Sequence, residues 1–234
     1  MQPVVAETTT PGVSPDREPG VRAGERGPDG RRARWTEHRR ARREELVAAA
    51  VAAVRAAGPE FAVDDVARAA GVSKTVIYRY FSDKDELVDA VLDRIAGAIL
   101  LPRLLGELAT ERADDRARLR AVVAAFVQII EEEPALYRFA YAHAGRSGRA
   151  DLVATTEREI AEALGTMMGQ RLAGAGLPPE PAMTWAYGVV GMVQLAAHWW
   201  STARTVPAAE LVDQLTALAS GGLGSLLPPP ADRQ

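Results

Sequence analysis

The chain of 234 residues contains no cysteine. Disulfides and thiolate metal sites are therefore excluded, and a reducing compartment is the natural setting. Aromatic residues make up only 6%, which weighs against a sheet-rich fold, because strands draw heavily on aromatic and β-branched side chains. There are three histidines, His38, His143 and His198, and they do not fall at metal-ligand spacing. A glycine-rich phosphate loop is missing as well. With these signatures absent, neither an enzyme nor a bound cofactor is expected. The N-terminus has no apolar signal core. The longest apolar run, Val189 to Trp200, is too short to span a bilayer and is interrupted by Gln194 and His198. A cytoplasmic protein without membrane contact is expected.

What is present is helix-forming. Apolar residues reach 47%, enough for a sizeable core, and Ala, Leu, Arg and Glu dominate. The net charge of −3 does not suggest a nucleic-acid binder, but phosphate contacts need only a local basic surface. Such a surface exists: seven arginines and one acid, Glu37, lie between Arg31 and Arg43. This run reads equally as a solvated arm or as an arm that touches phosphates or the minor groove. Residues 1–30 and 228–234 are rich in Pro, Gly and polar residues and are expected to be disordered.

Between these tails an all-α fold of about nine helices is expected. The first helix is predicted from about Glu37 to Ala57, the fourth from Ser82 or Asp83 to near Pro102, and the fifth over Asp114 to Glu133. Pro134 opens a sixth. The last three run from about Arg149 to Ala173, from Pro178-Pro179 to about Arg204, and from Pro207 to about Leu218. A reading unit over residues 36–96 and a second unit over 97–227 are expected, with the junction in or just after the fourth helix.

The strongest signal is the stretch from Val63 to Phe81. Ala67 is small where two short helices must cross. Gly71 stands just past a helix end, where a left-handed backbone is wanted. Val72 plugs the core from within the turn, and Ser73 can cap the following helix through its hydroxyl. Ile77 and Phe81 bury one face. Lys74, Thr75, Val76, Tyr78, Arg79 and Tyr80 remain on the other, as suits a helix laid in the major groove.

The run Ala70-Gly71-Val72-Ser73-Lys74, followed by Tyr78-Arg79-Tyr80-Phe81-Ser82-Asp83-Lys84 and Leu87, resembles the DNA-binding domain of the tetracycline-repressor (TetR) family. The resemblance is close from about Arg39 to Ile95. It implies a two-domain, all-α homodimer whose third helix reads bases and whose C-terminal domain holds a small ligand. By position, Lys74, Thr75, Val76 and Tyr78 would face bases, Ser73, Tyr80 and Lys84 would meet phosphates, and Arg79 could do either. Lys84 falls in the first turn of its helix, where amides and a cation could converge on an anion. Many members carry Ser or Thr just before the second helix, whereas this chain has Ala62. Arg39 to Arg43 are the candidates to replace that phosphate anchor.

The C-terminal part holds Phe126, Tyr137, Tyr141, Met167, Trp185 and Met192, candidates for a ligand site in a helical bundle, although core packing explains most such residues. Without a buried charge among them, an apolar effector is expected. His143, Gln194 and His198 read as satisfied or exposed polar residues sooner than as ligand contacts. Glu131 to Glu133 read as a solvated helix end. This half is also loosely similar to actinobacterial members of the family that sense fatty-acyl molecules, through Gly188-Val189-Val190-Gly191-Met192, the region of Trp199 and Gly221-Gly222-Leu223. The eighth helix, with Ala186, Gly188, Gly191, Ala196 and Ala197, and the ninth, with Leu211, Leu215 and Leu218, are the expected dimer surface. The functional expectation is a ligand-responsive regulator, a repressor on a palindromic operator. The alternative is an architectural DNA-binding protein without a ligand.

Overall fold

A computed structural model describes residues 28–144 and 150–222. Of the segments expected to be disordered, 1–30 and 228–234, residues 1–27 and 228–234 lie outside the described residues, whereas residues 28–30 open a helix. Among those described, helix is the only regular secondary structure. The helices are α1 (Pro28–Ala57), α2 (Val63–Ala70), α3 (Lys74–Tyr78), α4 (Lys84–Ile95), α5 (Leu101–Ala109), α6 (Asp115–Glu132), α7 (Pro134–Ala144), α8 (Ala150–Gly174), α9 (Pro181–Ala203) and α10 (Ala208–Gly221). A π-helical turn, Ala96–Leu100, joins α4 to α5. With Lys84 to Ala109 taken as one bent rod, the fourth in order, the described residues hold nine helices.

Two boundaries differ from the sequence reading. Helix α1 begins at Pro28 and not near Glu37. The arginine run has no apolar stripe, but Arg, Ala and Glu favour helix intrinsically. The rod begun by α4 does not stop near Pro102. Proline lacks the amide that would close a regular turn, and its ring crowds the carbonyl four residues back. The turn before it widens to π geometry, and Pro102 then sits in the first turn of α5, where its missing donor costs little.

The described residues form two compact units, one up to Arg40 and one from Ala41 onward. In the first, Thr36 Oγ1 donates to the Arg32 carbonyl at 2.9 Å, and the Arg39 guanidinium lies 5.6 Å from the Trp35 ring centroid.

In the second, one core gathers Leu46, Val54, Phe61, Val66, Ile77, Phe81, Leu87 and Val91. Leu136 and Phe139 of α7 are buried in this same core, and the Phe61 and Phe139 rings are 5.7 Å apart. Packing is therefore continuous across the junction expected near residue 96. Glu133 separates α6 from α7. It leaves helical geometry at φ −126°, ψ 53°, as a residue before proline tends to do. A second core joins α6, α9 and α10 through Val123, Val127, Trp200, Leu211 and Leu215. Helices α8 and α9 cross closely: a Cβ on Gly165 would stand 2.9 Å from Met183 Sδ.

Candidate nucleic-acid interface and ligand cavity

The helix-turn-helix is built locally. Gly71 ends α2 at φ 64°, ψ 34°, the left-handed conformation a side chain resists. That turn lets the Val72 amide donate to the Ala67 carbonyl at 2.9 Å. Asp65 accepts from the Ala62 amide at 2.8 Å, so an acid in the first turn stabilises a helix start that lacks a capping hydroxyl. Ile77 and Phe81 are buried. Ser73 occupies the cap position of α3, but its side chain makes no capping hydrogen bond. The expected hydroxyl cap is not formed, and the bond from the Val76 amide goes instead to the Ser73 carbonyl at 3.0 Å.

Ser73, Lys74, Thr75, Tyr78 and Arg79 are exposed, and Val76 and Tyr80 are half-buried. Lys74 is engaged: its ammonium lies 2.7 Å from Asp64 of α2. Hydrogen bonding to that carboxylate, with its charge, raises the ammonium above the ordinary lysine value. DNA would have to take Lys74 from Asp64, an exchange between exposed charges that costs little.

Lys84 is exposed, with its ammonium 5.1 Å from the Phe61 ring centroid. The helix start beside it is already furnished with acids. Asp83 accepts from the Glu86 amide at 2.8 Å, and Glu86 accepts from the Ser82 amide at 2.7 Å. Hydrogen bonding from Ser82, chiefly its amide, with desolvation opposing it and Arg43 adding to it, holds the Glu86 carboxyl below the usual carboxylate range.

Arg39 and Arg43, paired in the sequence reading, belong to different units. Arg39 is exposed beside Trp35. Arg43 is half-buried and turned inward: its guanidinium sits 4.7 Å from the Phe81 ring centroid and 3.2 Å from Glu86. It ties α1 to the end of the reading motif. A stacked, ion-paired arginine of this kind contributes about 1 kcal/mol.

A cavity of about 970 Å³ lies among α4, the π turn and α5 to α10. Five of the six expected ligand residues, Phe126, Tyr137, Tyr141, Met167 and Trp185, line it. Met192 does not. It packs against the core of α6, α9 and α10, as do Val189 and Val193, which line the cavity as well. The walls are mainly aliphatic, but the lining also includes Asp115, Arg116, Glu157, Arg171 and Gln194. Charge at the site was not expected. These residues come from α6, α8 and α9, and only the tertiary fold brings them to one space, with Arg171 of α8 reaching Asp115 of α6 at 3.0 Å.

Helix α7 spans the two regions. Leu136 and Phe139 point into the reading-head core, while Tyr137, Ala140 and Tyr141 line the cavity. Tyr137 is held up to about 12 by desolvation and the neighbouring Tyr141, so it stays a neutral hydroxyl. Its oxygen is 3.5 Å from His198 Nδ1, and the Tyr141 ring stacks on His198 with centroids 3.3 Å apart. His143 is buried and bonded through Nδ1 to the Phe139 carbonyl at 2.9 Å, a satisfied core histidine.

The α9 and α10 faces sort differently from the sequence reading. Leu211 and Leu215 are buried within the subunit, as are Ala186 and Ala197. Besides Met183, Thr184, Trp185 and Tyr187 near its start, α9 shows Gly188, Gly191, Leu195 and Trp199 to solvent, and a Cβ on either glycine would meet open space. No helix among the described residues is long and apolar enough to cross a membrane.

The family model for bacterial regulatory proteins of the tetR family matches residues 46–91. The model for the tetracyclin repressor-like C-terminal domain matches residues 105–228. An uncharacterized HTH-type transcriptional regulator of Mycobacterium tuberculosis is 37% identical over 195 residues, 83% of this chain and 82% of that protein. The HTH-type transcriptional activator FasR of Mycolicibacterium smegmatis is 30% identical over 164 residues, 69% and 73% of the respective chains. Among solved structures, a tetR-family transcriptional regulator from Streptomyces coelicolor superposes with a TM-score of 0.62 at 23% identity, covering 80% of this chain and 81% of that one. The transcriptional regulator FadR from Bacillus subtilis, solved in complex with stearoyl-CoA, superposes with a TM-score of 0.60 at 16% identity, covering 76% and 98%. A fold of helices alone, a helix-turn-helix closed by Gly71 and Phe81, and matches over both halves agree: this chain belongs to the tetracycline-repressor family of DNA-binding transcriptional regulators.

Proposed function

We propose that the chain is a ligand-responsive repressor that binds a palindromic operator as a homodimer and releases it when a fatty-acyl or other apolar metabolite fills the cavity. The observation that carries this reading is the shared position of α7 and α4. In α7, Leu136 and Phe139 are buried in the reading-head core while Tyr137 and Tyr141 line the cavity; in α4, Leu87 and Val91 are buried in that core, and Leu92 and Ile95 belong to it and line the cavity as well. A ligand that moves either helix also moves what holds the recognition helix. FadR of Bacillus subtilis holds a stearoyl-CoA, and a cavity with long aliphatic walls suits the same class. A ligand-free architectural protein would have no use for such a cavity.

In this reading Lys74, Thr75, Val76 and Tyr78 face bases, and Ser73, Tyr80 and Lys84 meet phosphates. Arg79 serves either, and Arg39 adds basic charge. Arg43 holds the motif together instead of contacting DNA. The dimer forms over the exposed α9 stripe of Gly188, Gly191, Leu195 and Trp199. An apolar helix face left in water is the mark of a protein contact, and glycines let two helix backbones approach. One reading helix covers few base pairs, and two-fold symmetry doubles the site.

Selection of operators from random DNA, combined with a thermal-shift screen of fatty acids and acyl-CoA esters, tests the proposal. A two-fold symmetric consensus together with stabilisation by an acyl compound is expected. DNA binding without sequence preference, and no stabilising ligand, would favour the architectural reading. Because FasR is named an activator, an in vitro transcription assay on the selected operator decides the sign, with repression expected.

A further inference from the structure

The cavity is electrically asymmetric. At one end, Arg116 and Arg171 line it together with Asp115 and Ser220. Asp115 is already shared by two guanidinium groups, Arg171 at 3.0 Å and Arg118 at 3.3 Å. Arg116 donates to the neutral hydroxyl of Ser220 at 3.0 Å. One carboxylate therefore stands among three guanidiniums, and the surplus is positive. The rim side chains Arg116 and Arg171 are exposed, so this end opens to solvent and a head group need not be wholly desolvated.

At the other end the sign reverses. Glu157 lines the cavity, and its described partner is the neutral amide of Gln194, which donates at 2.5 Å. Gln194 lies one turn before His198 on α9, and the His198 ring stacks on Tyr141. The acidic end is thus the end next to α7. Glu157 and Arg171 are fourteen residues apart on α8, about 21 Å along a helix. Between them α8 lends the cavity only Ile160, Leu164, Met167 and Met168.

Resting on the proposal that the cavity binds an acyl effector, we infer that the effector is an anionic amphiphile bound in one direction: its head group is held by Arg116 and Arg171, and its chain runs toward Tyr141 and Glu157. Guanidinium groups recognise carboxylate or phosphate oxygens through charge-assisted hydrogen bonds. The head is therefore the carboxylate of a free fatty acid or a phosphate of an acyl thioester. Glu157 excludes the reversed orientation by setting a second negative charge where the head would fall. The acyl tail, and not the head, then presses on α7 and the reading-head core behind it.

Binding of palmitate, palmitoyl-CoA, hexadecanol and hexadecanedioate to the full chain, by isothermal titration calorimetry, tests this. The expected result is that palmitate or palmitoyl-CoA binds at least about tenfold more tightly than hexadecanol, the size of one charge-assisted contact. Whichever of the two shows the advantage identifies the head. R116Q/R171Q should remove the advantage and leave hexadecanol unchanged, and R116K/R171K should keep most of it. Hexadecanedioate, with an anion at each end, should bind more weakly than palmitate in the wild type and recover in Glu157→Gln. If hexadecanol binds as tightly as the anions, or if R116Q/R171Q keeps the preference, the head-group assignment is overturned while the apolar cavity stands. If none of the four binds, the ligand reading beneath it falls as well.

Discussion

The guanidinium of Arg55, near the end of α1, holds the carboxylate of Glu133 through two hydrogen bonds, Nε at 2.9 Å and a terminal nitrogen at 2.6 Å. Glu133 immediately precedes α7, so the pair fastens the reading head to the start of the helix that borders the cavity. The pair is partly solvated, and its contribution to stability is about 0–1 kcal/mol. Its weight should fall on coupling instead. Arg55→Ala should shift the urea midpoint only slightly yet reduce the effect of ligand on DNA affinity. Urea titration and DNA binding with and without ligand check both halves, and a large loss of stability with intact coupling would contradict the assignment.

Phe139 is fully buried against Phe61 in the reading-head core. Phe139→Ala should cost about 3–5 kcal/mol, through lost burial and the cavity left behind. A cost under about 1 kcal/mol by urea unfolding would mean that α7 does not hold the reading head. Phe139→Leu, which keeps most of the volume, should fold well enough to show weakened ligand–DNA coupling.

The exposed face of α9 makes a prediction about assembly. Gly191 faces open space within the subunit, so Gly191→Glu should leave the fold of one subunit intact. In a dimer the charge would be buried without a partner. Light scattering should report monomers, and operator affinity should fall steeply. An unchanged dimer would place the interface elsewhere.

His198 supplies a pH test. Desolvation holds its imidazole below the ordinary histidine value. The neutral form is favoured in the folded chain, so its contribution to stability is present above the ordinary range. That contribution is lost as pH falls through the folded value. NMR titration should show His198 protonating at lower pH than a free histidine, with the Tyr141 stack loosening as it does so. Protonation at or above the ordinary value would contradict the packing described for this ring.

The reading head was legible in the sequence because its determinants are local. Gly71 answers a backbone need at one position, and Ile77 and Phe81 share a face by helical spacing alone. The helix inventory was legible for the same reason, except where Pro102 was read as a stop, since its tolerance depends on a π turn that no short pattern announces. The sensor was less legible because its determinants are not local. Tyr137 and Tyr141 look like ordinary core residues until the opposite face of α7 is seen inside the other core. Arg116, Glu157 and Arg171 look solvated until α6 and α8 are seen to line one cavity. Met192 shows the converse, an apolar residue of the right type that packs into the core of α6, α9 and α10 and does not line the cavity. Arg43 carries the charge of a phosphate contact, and only the tertiary fold turns it onto Phe81 and Glu86.

The central claim is that cavity and reading head are two ends of one equilibrium. Thermodynamic linkage then requires that operator DNA weaken the ligand by the same factor by which the ligand weakens DNA, about 1–3 kcal/mol of coupling for regulators of this kind. The direct measurement is ligand affinity by titration calorimetry, for the free chain and for the chain saturated with selected operator DNA. The account predicts roughly 5- to 150-fold weaker ligand binding in the operator complex, with the difference shrinking in Arg55→Ala. Equal ligand affinity with and without operator would contradict it, even with the cavity occupied.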